Sequence, residues 1–221
     1  MTAVTAASPV HPIRETEAAK QLAQSLNVRL HVIASQEMDD PAFLKNSPNR
    51  CYICKRHLLQ DMLDLAGKLG MQAVAHGVNT DDYSDFRPGL KAAKELGVIA
   101  PLADAGLNKS EIRILSKDMG LATWNKAPMA CLATRIPCHS PITKEKLDMI
   151  EQAENFLLDL GFDLCRVRHH GEIARIEVHP DQFPCLLSHG KPVTERFRII
   201  GFRHITLDLA GYVTGSTNDR S

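Results

Sequence analysis

The stretch "NRCYICKRHLLQDMLDLAGKLGMQAVAHG", residues 49–77, decides how this chain folds. Residues 57–70 carry apolar side chains at helical spacing and stop at Gly70. Residues 72–77 follow as a short apolar run closed by Gly77, the pattern of a strand. The neighbouring segments repeat the alternation. Residues 13–26 predict a helix with Ala18, Leu22 and Leu26 on one side, and residues 28–34, "VRLHVIA", read as a strand. Residues 108–120, "NKSEIRILSKDMG", predict a helix capped by Asn108, with Glu111 three residues on as in a capping box and Gly120 at its end. Strands alternating with helices imply βαβ units and a parallel sheet, an α/β fold.

The pattern changes after residues 124–137, "WNKAPMACLATRIP". Residues 143–161 predict one long helix ended by Gly161. Residues 164–170, 174–179 and 202–212 alternate as half-buried strands do. The expectation is therefore an α/β domain over residues 1–125 and a smaller α+β domain over 126–221, with the boundary between residues 124 and 128.

The chain has 221 residues, enough for one or two domains and a real core. Lys and Arg total 26, as do Asp and Glu. That balance argues against a broad basic nucleic-acid surface, though not against a nucleotide held by a local arginine cluster. No apolar run is long enough to span a bilayer, and residues 1–10 lack the features of a secretory signal. A cytoplasmic location is expected, so the six cysteines read as thiols or metal ligands rather than disulfides.

Three groups of residues can carry chemistry. Cys51 and Cys54 have the spacing of a metal clip or of a redox dithiol. A thioredoxin-type dithiol opens a helix directly after a strand, whereas Pro48 and a loop precede this pair; two unrelated thiols are the bland alternative. A zinc site needs two more soft ligands, and there is no second Cys-x-x-Cys. Three sulfurs are enough for an iron–sulfur cluster with one iron left open, and Cys131, in the interdomain loop, is the third candidate. Residues 76–93 form an acidic loop after a strand, where α/β sheets bind ligands; it reads equally as a solvated loop. In residues 166–178, "RVRHHGEIARIEV", period two puts Arg166, Arg168 and His170 on one face and Arg175 with Glu177 on one face of the returning strand. Such a hairpin holds a phosphate, or it is a solvent face laced with ion pairs. Cys165 shares the face of Val167 and reads as core.

Residues 49–58, 76–98, 108–121, 123–137, 166–178 and 201–212, taken in order, resemble the LarE family, and the resemblance runs from about Ala3 to Asn218. Family members are similar to PP-loop pyrophosphatases, with a Rossmann-like ATP domain and a smaller C-terminal domain. The resemblance implies an ATP-dependent sulfur transferase of nickel-pincer nucleotide biosynthesis. ATP, with Mg, adenylylates a carboxylate of a pyridinium biscarboxylate mononucleotide, and sulfur displaces AMP to leave a thiocarboxylate. It further implies that Cys51, Cys54 and Cys131 hold a 4Fe-4S cluster, since the branch that sacrifices its own cysteine has other residues at the Cys-x-x-Cys positions. By the same resemblance Cys131 and Glu177 are catalytic residues, Arg135, Arg166 and Arg168 contact substrate or phosphate, and Glu154 binds metal. A sulfide or other sulfur donor and a homo-oligomer are expected partners. Related PP-loop enzymes of tRNA thiolation or deazapurine synthesis, and a non-catalytic remnant, are the alternatives.

Two departures stand out. The PP-loop Ser-Gly-Gly-x-Asp-Ser is absent, no Gly-Gly pair occurs in the chain, and Val213 replaces the family's usual arginine. By the resemblance the chain begins at the second strand, residues 2–7. A late start, a fragment or lost ATP chemistry would each account for that. Without a first strand and helix, strand edges and apolar side chains are expected to lie open, leaving the chain marginal unless a partner fills the gap.

Overall fold

A computed structural model describes residues 1–84, 87–127 and 129–213. Asp85 and Phe86 of the acidic loop, Pro128 at the expected boundary and residues 214–221 lie outside the described residues. The elements are β1 (Ala3–Ala7), α1 (Ile13–Ser25), β2 (Leu30–Ala34), α2 (Pro41–Leu44), α3 (Arg50–Lys68), α4 (Pro88–Glu95), α5 (Pro101–Asp104), α6 (Lys109–Asp118), α7 (Lys144–Asp159), β3 (Cys165–His170), β4 (Ile173–Val178), α8 (Phe183–Ser188), α9 (Gly190–Ile200) and β5 (His204–Leu207). The architecture is mixed α/β, in two compact units. The first comprises Met1–Ser8, Thr16–Phe43 and Ser47–Pro128; the second comprises Pro9–Glu15, Leu44–Asn46 and Met129–Ser221.

In the first unit β1 and β2 pair in parallel, Ala3 opposite Leu30 through Ala7 opposite Ala34. Just past their carboxyl ends, the fully buried Glu37 accepts hydrogen bonds from the hydroxyls of Ser8 and Ser35 and ties the two strands together. The strand expected at residues 72–77 shrinks to one parallel bridge, Ala75 opposite Ile99. Leu59 of α3, Ala93 of α4 and Val98 form a small buried cluster. Helix α1 buries Thr16 and Ala23, whereas Leu26 is exposed, so the expected Ala18–Leu22–Leu26 side is not the buried one. Helix α6 has the expected start: the Asn108 side chain accepts from the Glu111 N–H, and Glu111 returns the bond to the Asn108 N–H.

In the second unit β3 and β4 form an antiparallel hairpin turned at Gly171, whose φ of 65° suits a residue without Cβ. The chain then makes α8 and α9, which the alternation of residues 164–212 does not announce, and returns as β5, parallel to β4. This unit therefore contains a crossover rather than a plain helix followed by strands. Both helices hide behind breakers: Pro184 stands in the first turn of α8 and Pro192 in the first turn of α9, where no N–H partner is lost. Ala153 and Leu157 of α7, Val167 of β3, Ala174, Ile176 and Val178 of β4, and Phe197 of α9 form the core with Phe202. Cys165 belongs to it, as its face-sharing with Val167 implies.

Candidate functional site

Arg135 ends a 3-10 turn, Leu132–Arg135, whose N-cap is Cys131. Its side chain is fully buried and forks onto Glu154 of α7: Nε donates to Oε1 at 2.9 Å and Nη2 to Oε2 at 3.0 Å. Its Nη1 donates to the carbonyls of Ala130 (2.9 Å) and Cys131 (3.0 Å) and to Thr134 Oγ1 (2.8 Å). Glu154 Oε1 also accepts the Val167 N–H of β3 at 2.9 Å. One buried ion pair thus fastens the Cys131 loop, α7 and β3 together. A glutamate on a helix surface is ordinarily solvated, but Glu154 is 5% exposed because its partner comes from a distant loop.

A second fork lies on the hairpin. Arg168 Nε and Nη2 each donate to Glu177 at 2.9 Å, and its Nη1 donates to the Thr134 carbonyl at 2.9 Å. Arg175 Nη2 donates to the same Glu177 at 3.0 Å, and Arg175 pairs with Asp208. Arg166, opposite Glu177 in the register, donates to the Cys165 carbonyl at 2.7 Å and stands over the Tyr212 ring at 5.3 Å. Burial, then the neighbouring Arg135 charge, pushes the Arg166 pKa down. Arg166 is 4%, Arg168 7% and Glu177 2% exposed. The ion pairs of the solvent-face reading are present, but Arg166, Arg168 and Glu177 are buried, while the Arg175 side chain stays 41% exposed.

Thr134 links the two forks, through its hydroxyl to Arg135 and its carbonyl to Arg168. In this network four guanidinium groups (Arg135, Arg166, Arg168, Arg175) lie among the carboxylates of Glu154, Glu177 and Asp208. Beside it a cavity of about 190 Å³ is lined by Arg14, Met129, Leu132, Glu154 and Asn155 among others.

No protein-family model matches the chain. It is 41% identical over 219 residues to an uncharacterized protein of Synechocystis, covering 98% of this chain and 81% of that protein. It is 33% identical over 219 residues to the pyridinium-3,5-bisthiocarboxylic acid mononucleotide synthase of Lactiplantibacillus plantarum, covering 99% of this chain and 79% of that one. The chain belongs to the LarE family. An uncharacterized protein of Methanocaldococcus jannaschii is also similar, 30% identical over 190 residues, 86% of this chain and 72% of that protein.

In this LarE-family chain the second unit brings Cys131, Arg135, Glu154, Arg166, Arg168 and Glu177 into one neighbourhood. Cys51 and Cys54 belong to the first unit. They stand in the first helical turns of α3, which begins at Arg50 rather than His57, and their i, i+3 spacing puts both sulfurs on one side of the helix. Cys51 is exposed, Cys54 and Cys131 half-buried. Among the described residues no three or more His, Cys, Asp or Glu side chains are gathered to hold a metal ion. Cys165 is a different thiol: burial, then Glu154, pushes its pKa up to about 12, which leaves it inert.

Residue patterns alone miss Lys55 and His76 in the first unit, and Thr134 and Tyr212 in the second. Burial pushes the Lys55 pKa down, and burial followed by the Lys55 charge pushes His76 down. The one sequence signal for Lys55 is its place directly after Cys54.

No helix among the described residues is long and apolar enough to cross a membrane.

Proposed function

We propose that this protein transfers sulfur to a pyridinium mononucleotide in the biosynthesis of a nucleotide cofactor. The observation that carries the reading is the buried arginine–glutamate network around Thr134, joined to the Cys131 backbone. It suits an anionic mononucleotide: guanidinium groups attract phosphate and carboxylate oxygens, and the carboxylates behind them fix their positions. The similar Lactiplantibacillus synthase is named for the bisthiocarboxylic acid of such a nucleotide.

A carboxylate oxygen is a poor leaving group. In the proposed reaction it attacks the α-phosphorus of ATP and pyrophosphate leaves. Sulfide then attacks the acyl carbon, AMP departs with the former carboxylate oxygen, and a thiocarboxylate remains. Arg166 and Arg168 bind the substrate anion, Arg135 holds the Cys131 loop in place, and Glu177 keeps Arg168 oriented. The rival role for Glu177, a direct catalytic contact, is separated from this one by its amide variant. Glu154 acts by fixing Arg135 rather than by binding metal, because both of its oxygens are engaged.

Cys51, Cys54 and Cys131 are the proposed ligands of a 4Fe-4S cluster. When bound, the cluster supplies a sulfide on the iron that no cysteine ligates, so no protein sulfur is consumed. Anaerobic reconstitution with iron and sulfide tests this. The expected result is a broad visible absorbance, with acid-labile sulfide, that is lost in Cys131→Ala and in Cys51→Ala. An unchanged spectrum in Cys131→Ala rejects that ligand. AMP release from ATP, measured with and without the mononucleotide, tests activation separately from sulfur transfer.

A further inference from the structure

Beyond β5 the chain keeps to the end of β4. The Asp208 N–H donates to the Ile176 carbonyl and the Tyr212 N–H to the Val178 carbonyl, each at 2.9 Å. Residues 208–212 advance by four where β4 advances by two, and the excess closes into a turn. There the Gly211 N–H donates to the Asp208 carbonyl at 2.9 Å, and the Ala210 N–H to Asp208 Oδ1 at 3.0 Å. Arg175 of β4 pairs with the same carboxylate at 3.4 Å. Gly211 lies so close to the strand that a Cβ would stand 2.9 Å from the Val178 carbonyl oxygen and 3.0 Å from the Pro180 ring. The backbone on either side of the turn is therefore pinned, and the direction of the next side chain is fixed with it.

That side chain is Tyr212. The two carbonyls that hold its segment flank Glu177, and Glu177 lies opposite Arg166 in the hairpin register. The Tyr212 ring centroid is 5.3 Å from Arg166 Cζ, inside the roughly 6 Å reach of a cation–π contact. The arginines of the second unit are thus oriented by two different means. Arg135 and Arg168 are gripped by glutamate forks, which take up their N–H groups. Arg166 has an aromatic ring against it, and its Nη1 donates to the Cys165 carbonyl at 2.7 Å. A ring occupies the face of a guanidinium, whereas an anion meets the in-plane N–H edge, so the two contacts do not compete. An arginine has much rotamer freedom, and one fixed before its ligand arrives loses less of it on binding.

We propose that Tyr212 is a positioning residue for the mononucleotide: its ring holds the Arg166 guanidinium in the orientation that meets the substrate's phosphate or carboxylate oxygens. Tyr212 sets substrate affinity through Arg166 and does not touch the reacting atoms. The inference rests on the function proposed above, which assigns the substrate anion to Arg166.

Calorimetry with pyridinium-3,5-biscarboxylic acid mononucleotide tests it, at a temperature where each variant is folded by circular dichroism. Tyr212→Leu and the larger Tyr212→Met both remove the ring and are expected to weaken binding roughly threefold to thirtyfold, the range that a partly to fully desolvated cation–π contact supplies. Tyr212→Phe keeps the ring and is expected to bind within about twofold of the unaltered protein. Nuclear magnetic resonance of isotope-labelled arginine Nε–H groups reads the orientation of Arg166, whose signal is assigned with Arg166→Lys. That signal is expected to move in Tyr212→Leu and Tyr212→Met and to stay in place in Tyr212→Phe. A residue that only supports the fold would shift melting temperature and leave both readouts unchanged. Ring-less variants that bind as tightly as the unaltered protein overturn this inference alone. So does Tyr212→Phe losing as much affinity as Tyr212→Leu, or weakened binding with the Arg166 signal unmoved. No binding by the unaltered protein overturns the proposed function, and this inference with it.

Discussion

Glu154→Gln is the sharpest probe of the network. The substitution keeps the shape of residue 154, and the glutamine oxygen can still accept the Val167 N–H. It removes the negative charge facing Arg135, whose side chain has no solvent exposure. Two bonds of 2.9 and 3.0 Å to a carboxylate become at most one to a neutral amide oxygen, and a guanidinium is left buried without the counter-charge of Glu154. Breaking one partner of a buried pair costs about 3–5 kcal/mol. At roughly 2–4 °C per kcal/mol for a chain of this size, the melting temperature should fall by about 6–20 °C. Thermal unfolding followed by circular dichroism measures the shift, and denaturant unfolding the free-energy loss. The exposed pair Arg203–Glu172, 72% and 68% exposed, is the control, and Glu172→Gln should change nothing measurable. The double replacement Arg135→Met with Glu154→Leu should recover only part of the loss, since it removes the unpaired charge but leaves the Val167 N–H and the Ala130 and Cys131 carbonyls without these partners. A loss below about 1 kcal/mol for Glu154→Gln would refute the claim that this pair anchors the Cys131 loop.

Three further outcomes follow from the same geometry. Gly211→Ala should destabilise the second unit by about 2 kcal/mol, because φ is 71° and the new Cβ would meet the Val178 carbonyl oxygen at 2.9 Å; thermal unfolding checks it. Arg168→Met should weaken mononucleotide binding at least tenfold, while Glu177→Gln should weaken it less if Glu177 only orients Arg168; calorimetry separates the two. Cys165 holds its proton up to about 12 when folded and ionises near 9.0 when unfolded, so its contribution to stability is complete below pH 9 and lost between pH 9 and about 12. Cys165→Ala should therefore lose less, relative to the unaltered chain, as pH rises through that window.

What was legible in the residues was local. The Asn108–Glu111 box and Gly120 delimit α6 because capping is decided within one turn. The period-two pattern of residues 165–178 marks the hairpin, and it places Cys165 in the core. The buried charges were not legible, because Arg168 and Glu154 are desolvated by partners far along the chain, Glu177 with Thr134 and Arg135. A run of arginines on a strand reads as solvated until that long-range pairing is seen. Helices α8 and α9 were masked by Pro184, Gly190 and Pro192, breakers that lie in first turns. Residues 72–77 have strand composition but pair only at Ala75, since one side of that segment borders an open groove.

Mass analysis of the mononucleotide product tests the central claim most directly. The reconstituted protein is incubated anaerobically with pyridinium-3,5-biscarboxylic acid mononucleotide, ATP, Mg and sulfide. The account predicts a product in which one carboxylate oxygen is replaced by sulfur, with one AMP per product and none in Arg168→Met. Unaltered substrate, from protein that carries its cluster and binds the mononucleotide, would contradict it.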